Sequence, residues 1–300
     1  MKIKIDEYSE GKRLDAFLSE LIKESSRSKI QADIKKGQVF VNSKPAKSSY
    51  LIKENDLIEY ELKCFLPIVP KAEDIQIDII WEDENMAVVN KPSGMLTHPT
   101  PQEMSGTLVN ALLNIFGENL SNLNGDMRRG IVHRLDRNTS GLLMVAKNNK
   151  THEFLVNEMK EKLFCKKYLA IVKGIITKDE FPIDLPISRH LTQPHKQAVR
   201  DDGKESLTLV KVLKRFKDAT LVELTLITGR THQIRVHLSS IGHPVYNDTL
   251  YGFGKMKIKT EEQVLQSYKL EFTKPFSEER ISLEIAPDEK IQKVLKALQE

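Results

Sequence analysis

The stretch from residue 130 to residue 146, GIVHRLDRNTSGLLMVA, restricts the fold more than any other part of the chain. An apolar, strand-like run from Leu142 to Ala146 directly follows a polar loop. The loop places a single acid, Asp136, among a histidine and two arginines. Neighbouring cations favour the ionised form of a carboxylate, and an ionised carboxylate can act as a nucleophile or a general base. A single loop acid is more often structural, so Asp136 alone does not establish a site.

A second polar cluster extends from Thr228 to Leu238 and leads into Gly-His-Pro. Arg235 is flanked by apolar residues, and an arginine in such surroundings usually needs a partner acid. The two histidines of the cluster, His232 and His237, are five residues apart, which does not fit the i, i+4 spacing of a zinc-binding helix. We therefore expect no metal site here.

The first 62 residues are predicted to form a small α/β domain. Apolar residues recur at i, i+3, i+4, i+7 and i+8, the pattern of one helical stripe. The stripe consists of Leu14, Phe17, Leu18, Leu21 and Ile22. A second helix is expected from Ser28 to Lys36, with Gly37 as its stop, and strands at Val39–Asn42 and Leu57–Leu62.

Residues 63–74 contain two prolines and no clear period, which predicts a linker to a large domain over residues 75–300. The large domain is expected to mix strands and helices without regular βαβ alternation, which favours an α+β fold. The predicted strands are Ile77–Trp81, Met86–Asn90, Tyr168–Val172 and Leu221–Leu226, and the predicted helices are Thr107–Phe116 and Asp288–Gln299.

Charge is concentrated near the N-terminus. The whole chain has 46 basic and 42 acidic side chains, a net charge of +4. Residues 23–53 alone hold eight Lys or Arg against two acids. Composition supports two interpretations equally, a solvated charged face or a patch that binds the RNA backbone by releasing counterions from its phosphates.

Several classes of protein are disfavoured by the sequence. The two cysteines, Cys64 and Cys165, are far apart and form no CxxC pair, so a redox or metal motif is not expected. No secretory signal or membrane-spanning apolar run is present, which predicts a cytoplasmic protein. A hydrolase of the GxSxG type is disfavoured because that motif is absent.

Four long segments resemble the RluA-type pseudouridine synthases, in that family's order, across residues 75 to 254. HRLDRNTSGLLMVAKN resembles the family's catalytic motif, and WEDENMAVVNKPSGMLTHP resembles its opening strand pair. CKKYLAIVKG resembles its tyrosine motif, and LITGRTHQIRVHLSSIGHPVYNDTLYG its arginine motif. The N-terminal domain resembles the small RNA-binding domain that precedes the catalytic domain in RluD-like members.

The resemblance implies a fold and a set of site residues. The catalytic domain would be built on a mainly antiparallel mixed sheet flanked by helices and loops. Asp136 would be the catalytic carboxylate, Tyr168 would pack on the target base and is a candidate for proton transfer, and Arg235 would pair with the carboxylate. Arg134 would fill the space left by a flipped base. The expected RNA contacts are Arg134, His133, Arg230, His232 and Lys91, and in the small domain Arg27, Lys29, Lys35 and Lys36.

The implied reaction is the isomerisation of uridines in structured RNA, with large-subunit ribosomal RNA preferred over transfer RNA as the partner. It needs neither a metal nor another cofactor, and a monomer is the default expectation. Asp136 would either attack the anomeric carbon or remove a ribose proton to give a glycal. The competing hypothesis is a non-catalytic RNA-binding or ribosome-assembly factor. One departure from the family pattern is Asn247, which stands where glycine is common.

Overall fold

The computed structural model describes residues 2–7, 9–22, 25–60, 69–100, 102–193, 195–254 and 256–299. The chain divides into two compact units, Met1–Ile68 and Val69–Glu300. The end of the predicted strand Leu57–Leu62, Cys64 and the first part of the predicted linker lie outside the described residues.

The first unit combines two helices with a four-stranded antiparallel sheet in the order β1-β4-β2-β3. Its elements are β1 (Lys2–Lys4), α1 (Leu14–Leu21), α2 (Arg27–Lys35), β2 (Val39–Val41), β3 (Lys44–Pro45) and β4 (Leu57–Tyr60). Helix α2 begins after Ser26, whose side chain accepts a hydrogen bond from the Lys29 amide and so caps the helix.

The apolar stripe of α1 forms part of the core of this unit, as predicted for four of its five residues. Leu14, Phe17, Leu18 and Ile22 are buried together with residues of α2 and the sheet. Leu21 was expected in the same core, but its side chain is 48% exposed. The helix ends at Leu21, and the chain leaves the helical path at Ile22, whose side chain enters the core instead.

The second unit is built on a nine-stranded mixed sheet in the order β5-β6-β7-β14-β8-β13-β12-β9, with β15 beside β14. Every pair is antiparallel except β7 with β14, and a separate hairpin is formed by β10 and β11. The strands are β5 (Asp78–Glu82), β6 (Met86–Lys91), β7 (Ser140–Ala146), β8 (Cys165–Lys173), β9 (Glu180–Asp184), β10 (Ile187–Arg189), β11 (Gln197–Val199), β12 (Leu207–Arg215), β13 (Ala219–Leu226), β14 (Leu265–Thr273) and β15 (Arg280–Glu284).

Helices cover both faces of this sheet. They are α3 (Leu108–Phe116), α4 (Asn149–Lys160), α5 (Gln233–Ser240) and α6 (Glu289–Gln299), and a short 3-10 turn lies at Asp126–Arg128. A hydrophobic core lies on each face of the sheet, and successive residues of β6 contribute to opposite cores. Ala87 packs in the core that contains α3 and α5, whereas Met86 packs in the core that contains Leu155 of α4. This arrangement confirms the predicted α+β fold and its mainly antiparallel sheet.

The parallel contact between β7 and β14 depends on a glycine. Gly141 lies opposite Ser267 and has a φ of +113°. A Cβ atom on Gly141 would lie 2.0 Å from the Ser267 carbonyl oxygen, far inside van der Waals contact. The two strands can therefore approach at this register only with glycine at position 141.

Among the helices of the described residues, none is long and apolar enough to cross a membrane.

Candidate active site

The loop that precedes β7 carries Asp136 and is held by side chains from three other segments. Each of these side chains donates a hydrogen bond to a backbone carbonyl of the loop. The bonds run from Thr97 Oγ1 to the Leu135 carbonyl (2.8 Å), from Lys91 Nζ to the Arg137 carbonyl (3.0 Å), and from Lys290 Nζ of α6 to the Asn138 carbonyl (3.2 Å). Carbonyls on both sides of Asp136 are thus fixed before any ligand binds.

Lys91 does not reach the surface, contrary to the prediction that it contacts RNA. Its side chain is fully buried, and its ammonium also donates to the carbonyls of Pro92 and Met95, each at 2.8 Å. Burial, with a smaller contribution from the neighbouring Lys290, lowers the pKa of Lys91 to about 7. Lys91 is therefore a structural part of the loop scaffold.

Arg235 of α5 connects two carboxylates. Its Nε and Nη2 donate to Asp248 at 2.7 and 2.9 Å, and its Nη1 donates to Asp136 Oδ2 at 3.1 Å. Arg235 is 7% exposed and Asp248 is 4% exposed. Burial opposes the charge on the guanidinium, but the two carboxylates together raise the pKa of Arg235 above its usual value. The bidentate bond to Asp248 fixes the plane of the guanidinium and so directs Nη1 at Asp136.

Asp248 is itself held by the chain that follows it. Its Oδ1 accepts hydrogen bonds from the amides of Leu250 and Tyr251, at 2.9 and 3.0 Å. Burial opposes its ionised form, but Arg235 outweighs that effect, and the pKa of Asp248 is lowered. Its neighbour Asn247 adopts a left-handed φ of +58°, a conformation that asparagine tolerates better than most residues other than glycine.

Tyr251 and His232 form the next layer around the carboxylate. The centre of the Tyr251 ring lies 5.1 Å from Cζ of Arg235, a cation–π contact, and the Tyr251 hydroxyl lies 2.8 Å from His232 Nδ1. The same hydroxyl accepts a hydrogen bond from the Gln197 amide, so it is free to donate to Nδ1. His232 Nε2 then faces Asp136 Oδ2 at 3.9 Å. Burial lowers the pKa of His232, although Asp136 opposes the shift.

Tyr168 lies on β8, where it pairs with Leu224 of β13 and Ser267 of β14. It is buried, yet it lines the same cleft as Asp136. Burial raises the pKa of Tyr168 above its usual value, so its hydroxyl is protonated and neutral at neutral pH.

A cleft of about 590 Å³ brings together seven of the predicted residues. They are His133, Arg134, Asp136, Tyr168, Arg230, His232 and Arg235. The two arginines of the Asp136 loop differ sharply. Arg137 is bound by both oxygens of Glu103, whereas Arg134 is exposed and has no hydrogen-bond or ion-pair partner among the described residues. Arg134 is therefore the arginine available to a ligand, and Arg230 is exposed beside it in the cleft with its Nε on the Glu205 carbonyl.

His133 is anchored rather than free. Its Nε2 accepts a hydrogen bond from the Met144 amide of β7 at 3.1 Å. Burial, reinforced by the charge of Lys166, lowers the pKa of His133 to about 3. The ring is therefore neutral at physiological pH and offers no positive charge to a phosphate.

The predicted RNA contacts of the small unit lie on or beside α2. Lys35 and Lys36 are exposed at its C-terminal end. Arg27 is also exposed, but its Nη2 donates to the buried Asp15 at 3.2 Å. Lys29 is half-buried. Arg27 thus has a structural partner within its own unit, whereas Lys35 and Lys36 extend into solvent.

The sequence interpretation missed two residues of this site, Asp248 and Tyr251. The need of Arg235 for a second acid was recognisable from its apolar neighbours, but nothing in the spacing identified Asp248, 13 residues away, as that acid. Tyr251 belongs to the same segment and gave no separate signal. No group of three or more His, Cys, Asp or Glu side chains in the described ranges is placed to hold a metal ion.

Comparisons with known proteins agree with this geometry. Residues 85–240 match the family model described as RNA pseudouridylate synthase, and residues 12–58 match that of the S4 domain. The chain is 42% identical over 296 residues to an uncharacterized RNA pseudouridine synthase of Bacillus subtilis, covering 99% of this chain and 97% of the relative. It is 34% identical over 303 residues to ribosomal large subunit pseudouridine synthase D of Xanthomonas campestris, covering 97% of this chain and 90% of the relative.

A second protein of that name, from Pseudomonas aeruginosa, is 39% identical over 248 residues, covering 83% of this chain and 76% of the relative. Among solved structures, human RNA pseudouridylate synthase domain containing 1 superimposes with a TM-score of 0.59 at 24% identity, covering 76% of this chain and 96% of that chain. The structural likeness shows a shared fold.

Proposed function

The chain belongs to the RNA pseudouridylate synthase family, enzymes that convert uridine to pseudouridine, and we propose that its substrate is large-subunit ribosomal RNA. Two relatives that align with most of the chain are named for that substrate. The match of residues 12–58 to the S4 domain supports an RNA-binding role for the small unit. A substrate of this kind agrees with the cytoplasmic location expected from the sequence.

The proposed reaction is an isomerisation. The bond between uracil N1 and ribose C1′ breaks, the base turns, and uracil C5 forms a new bond to C1′. The hydrogen lost from C5 is balanced by one gained at N1, so the atoms of the nucleotide are unchanged. The protein must supply a group that acts on the sugar, a place for the detached base, and a route for the proton.

In this proposal Asp136 acts on the sugar, either by attack on C1′ or by removal of the C2′ proton. The observation that supports it is the hydrogen bond from Arg235 to Asp136, with Arg235 fixed in turn by Asp248. A carboxylate held by a charge-assisted bond in a cleft is already oriented for its reaction. A substrate with deuterium at C2′ separates the two routes, because only proton removal gives a primary isotope effect.

Access to the sugar requires the nucleotide to leave its stack, which costs a few kcal/mol. Arg134, exposed and unpaired among the described residues, is suited to enter the space left by the base and donate hydrogen bonds to its former neighbours. Tyr168 lines the cleft beside Asp136 and is suited to pack against the extruded uracil. Its hydroxyl stays neutral and can donate a hydrogen bond to the base.

The test is direct. Purified wild-type protein is incubated with large-subunit ribosomal RNA and, separately, with transfer RNA, both transcribed without modification and then digested to nucleosides. Pseudouridine in the ribosomal RNA alone supports the proposal. Product in transfer RNA alone overturns the proposed substrate, and absence of product in both overturns activity on either RNA.

The role of Asp136 is tested with Asp136→Asn, which keeps the size and shape of the side chain. This variant should bind the RNA as the wild type does but lose at least about 10³-fold in product formation. Asp126→Asn, in the 3-10 turn, is the matched control for an acid outside the cleft and should remain active. Appreciable turnover by Asp136→Asn contradicts the assigned role.

A further inference from the structure

We propose that Lys166 forms an anion site in the wall of the cleft that binds a backbone phosphate of the RNA beside the reacting uridine. The inference rests on the proposed function, because it takes the ligand of the cleft to be RNA. Neither the residue nor the site was identified from the sequence.

Lys166 lies on β8, two residues before Tyr168, and both side chains line the cleft. Residues two apart on a strand point to the same face of the sheet. A group bound by the Lys166 ammonium would therefore lie close to a base packed on Tyr168. A phosphate adjacent to that base in the RNA chain satisfies this condition.

The charge of Lys166 has no counterpart among the described residues. No carboxylate or hydrogen-bond acceptor of those residues contacts its ammonium, whose contact with the Phe164 ring, 5.5 Å from its centre, is a cation–π interaction and carries no negative charge. Burial lowers the pKa of Lys166 to about 8, because the ammonium is withdrawn from water. A partly buried cation without a carboxylate partner costs free energy, and an anionic ligand reduces that cost.

Lys167, the next residue along the strand, differs from Lys166 in having a carboxylate partner. Lys167 points to the opposite face of β8, where its ammonium lies 3.1 Å from Glu223 Oε1. The two lysines are adjacent on one strand, yet one is neutralised within the protein and the other faces the cleft unpaired. An ordinary structural lysine would resemble Lys167.

The charged residues that line the cleft favour an anionic ligand. The described residues that line the cleft include six Lys or Arg but only two acids, Asp136 and Glu205, and Asp136 is bound by Arg235. The surplus is positive, which fits a polyanion and argues against a cationic or neutral ligand.

The experiment compares Lys166→Met with Lys167→Met, each combined with Asp136→Asn so that binding is measured without turnover. RNA affinity is measured at several salt concentrations. Loss of one phosphate contact should reduce the slope of log K against log salt by about 0.7 to 0.9. We expect this reduction for Lys166→Met and none for Lys167→Met. Lys166→Arg should restore the slope, because it restores the charge.

A thermal unfolding curve excludes misfolding as the cause. Lys166→Met removes an uncompensated charge, so the melting temperature should equal or exceed that of the parent. An unchanged salt slope for Lys166→Met, or an equal reduction for Lys167→Met, overturns the proposed anion site.

A second probe locates the phosphate. If the wild type modifies a uridine, a methylphosphonate that neutralises the phosphate next to it should weaken binding by the parent but not further weaken binding by Lys166→Met. Additive losses contradict the assignment. The salt slope does not depend on product formation, so failure of the proposed function and failure of this site are separate results.

Discussion

Arg235 and Asp136, 99 residues apart in sequence, are joined by a hydrogen bond of 3.1 Å from Nη1 to Oδ2. The position of Nη1 is set by Asp248, which binds the opposite edge of the same guanidinium. Asp248 neither bonds to Asp136 nor lines the cleft, yet it determines where the partner of Asp136 lies. The orientation of Asp136 therefore depends on a residue behind Arg235.

Asp248→Asn tests that dependence. Removing the charge of Asp248 leaves the buried Arg235 with Asp136 as its remaining carboxylate. We expect a loss of up to about 3 to 5 kcal/mol in the free energy of unfolding, together with reduced turnover. Urea unfolding gives the first quantity. Asp218→Asn, which breaks the exposed pair with Lys257, is the control and should cost about 0 to 1 kcal/mol. Equal costs for the two variants would contradict the structural role of Asp248.

Lys91→Met tests the scaffold of the Asp136 loop. Three carbonyls would each lose a donor, and unsatisfied buried acceptors cost about 1 to 3 kcal/mol each. We expect a loss of at least about 3 kcal/mol in unfolding free energy and a fall in product formation, with little change in RNA affinity. Lys71→Met, at an exposed position, should stay within about 0.5 kcal/mol of the wild type. A selective loss of RNA affinity would instead restore the prediction that Lys91 contacts RNA.

His133→Gln tests the pH dependence of stability. The pKa of His133 is about 3 when folded against an ordinary 6.5, so the unfolded chain binds the extra proton first as pH falls. The stabilisation due to neutral His133 is complete above pH 6.5 and declines as pH falls towards 3. Gln can accept the hydrogen bond from the Met144 amide without titrating. The unfolding free energy of His133→Gln should therefore fall less with decreasing pH than that of the wild type, by up to about 1.4 kcal/mol per pH unit.

The control for this variant is His195→Gln, at an exposed position. Unfolding in urea at pH 7, 6, 5 and 4 gives both profiles. Parallel profiles for wild type and His133→Gln would show that His133 does not cause the acid sensitivity.

Lys35→Gln combined with Lys36→Gln tests the small unit as an RNA-binding surface. Both side chains are exposed at the end of α2. If both contact phosphates, their loss should reduce the slope of log K against log salt by about 1.4 to 1.8. Lys2→Gln, which removes a lysine already paired with Glu59, is the control. A slope equal to that of the wild type would support the solvated-face interpretation.

Elements with a strong periodic pattern were predictable from the sequence. The expected helix at Thr107–Phe116 is α3, with Thr107 as its N-cap, and the apolar run at Leu142–Ala146 lies in β7. Those patterns depend on local spacing, which the sequence displays directly. The end of α1 was less clear, because the position at which the chain leaves the helix decides whether Leu21 or Ile22 enters the core.

The site was predictable only in part. Asp136, Tyr168 and Arg235 lie together as the resemblance implied, although their catalytic roles stay predictions. The identity of the second acid that binds Arg235 and the burial of Lys91 both depend on tertiary contacts. A lysine next to Pro-Ser-Gly has no local feature that distinguishes a surface cation from one that binds three carbonyls. Lys166 likewise becomes distinct from Lys167 only when the strand places them on opposite faces.

The close approach of Gly141 to Ser267 has a consequence for mutational scanning. In a saturation library scored by activity, Gly141 should look as intolerant as Asp136. The two positions fail differently, because any Cβ on Gly141 meets the Ser267 carbonyl and prevents the β7–β14 pairing. Asp136 variants should accumulate as folded, inactive protein, whereas Gly141 variants should be depleted from the soluble fraction. Measuring abundance beside activity would separate a position fixed by backbone contact from one fixed by chemistry.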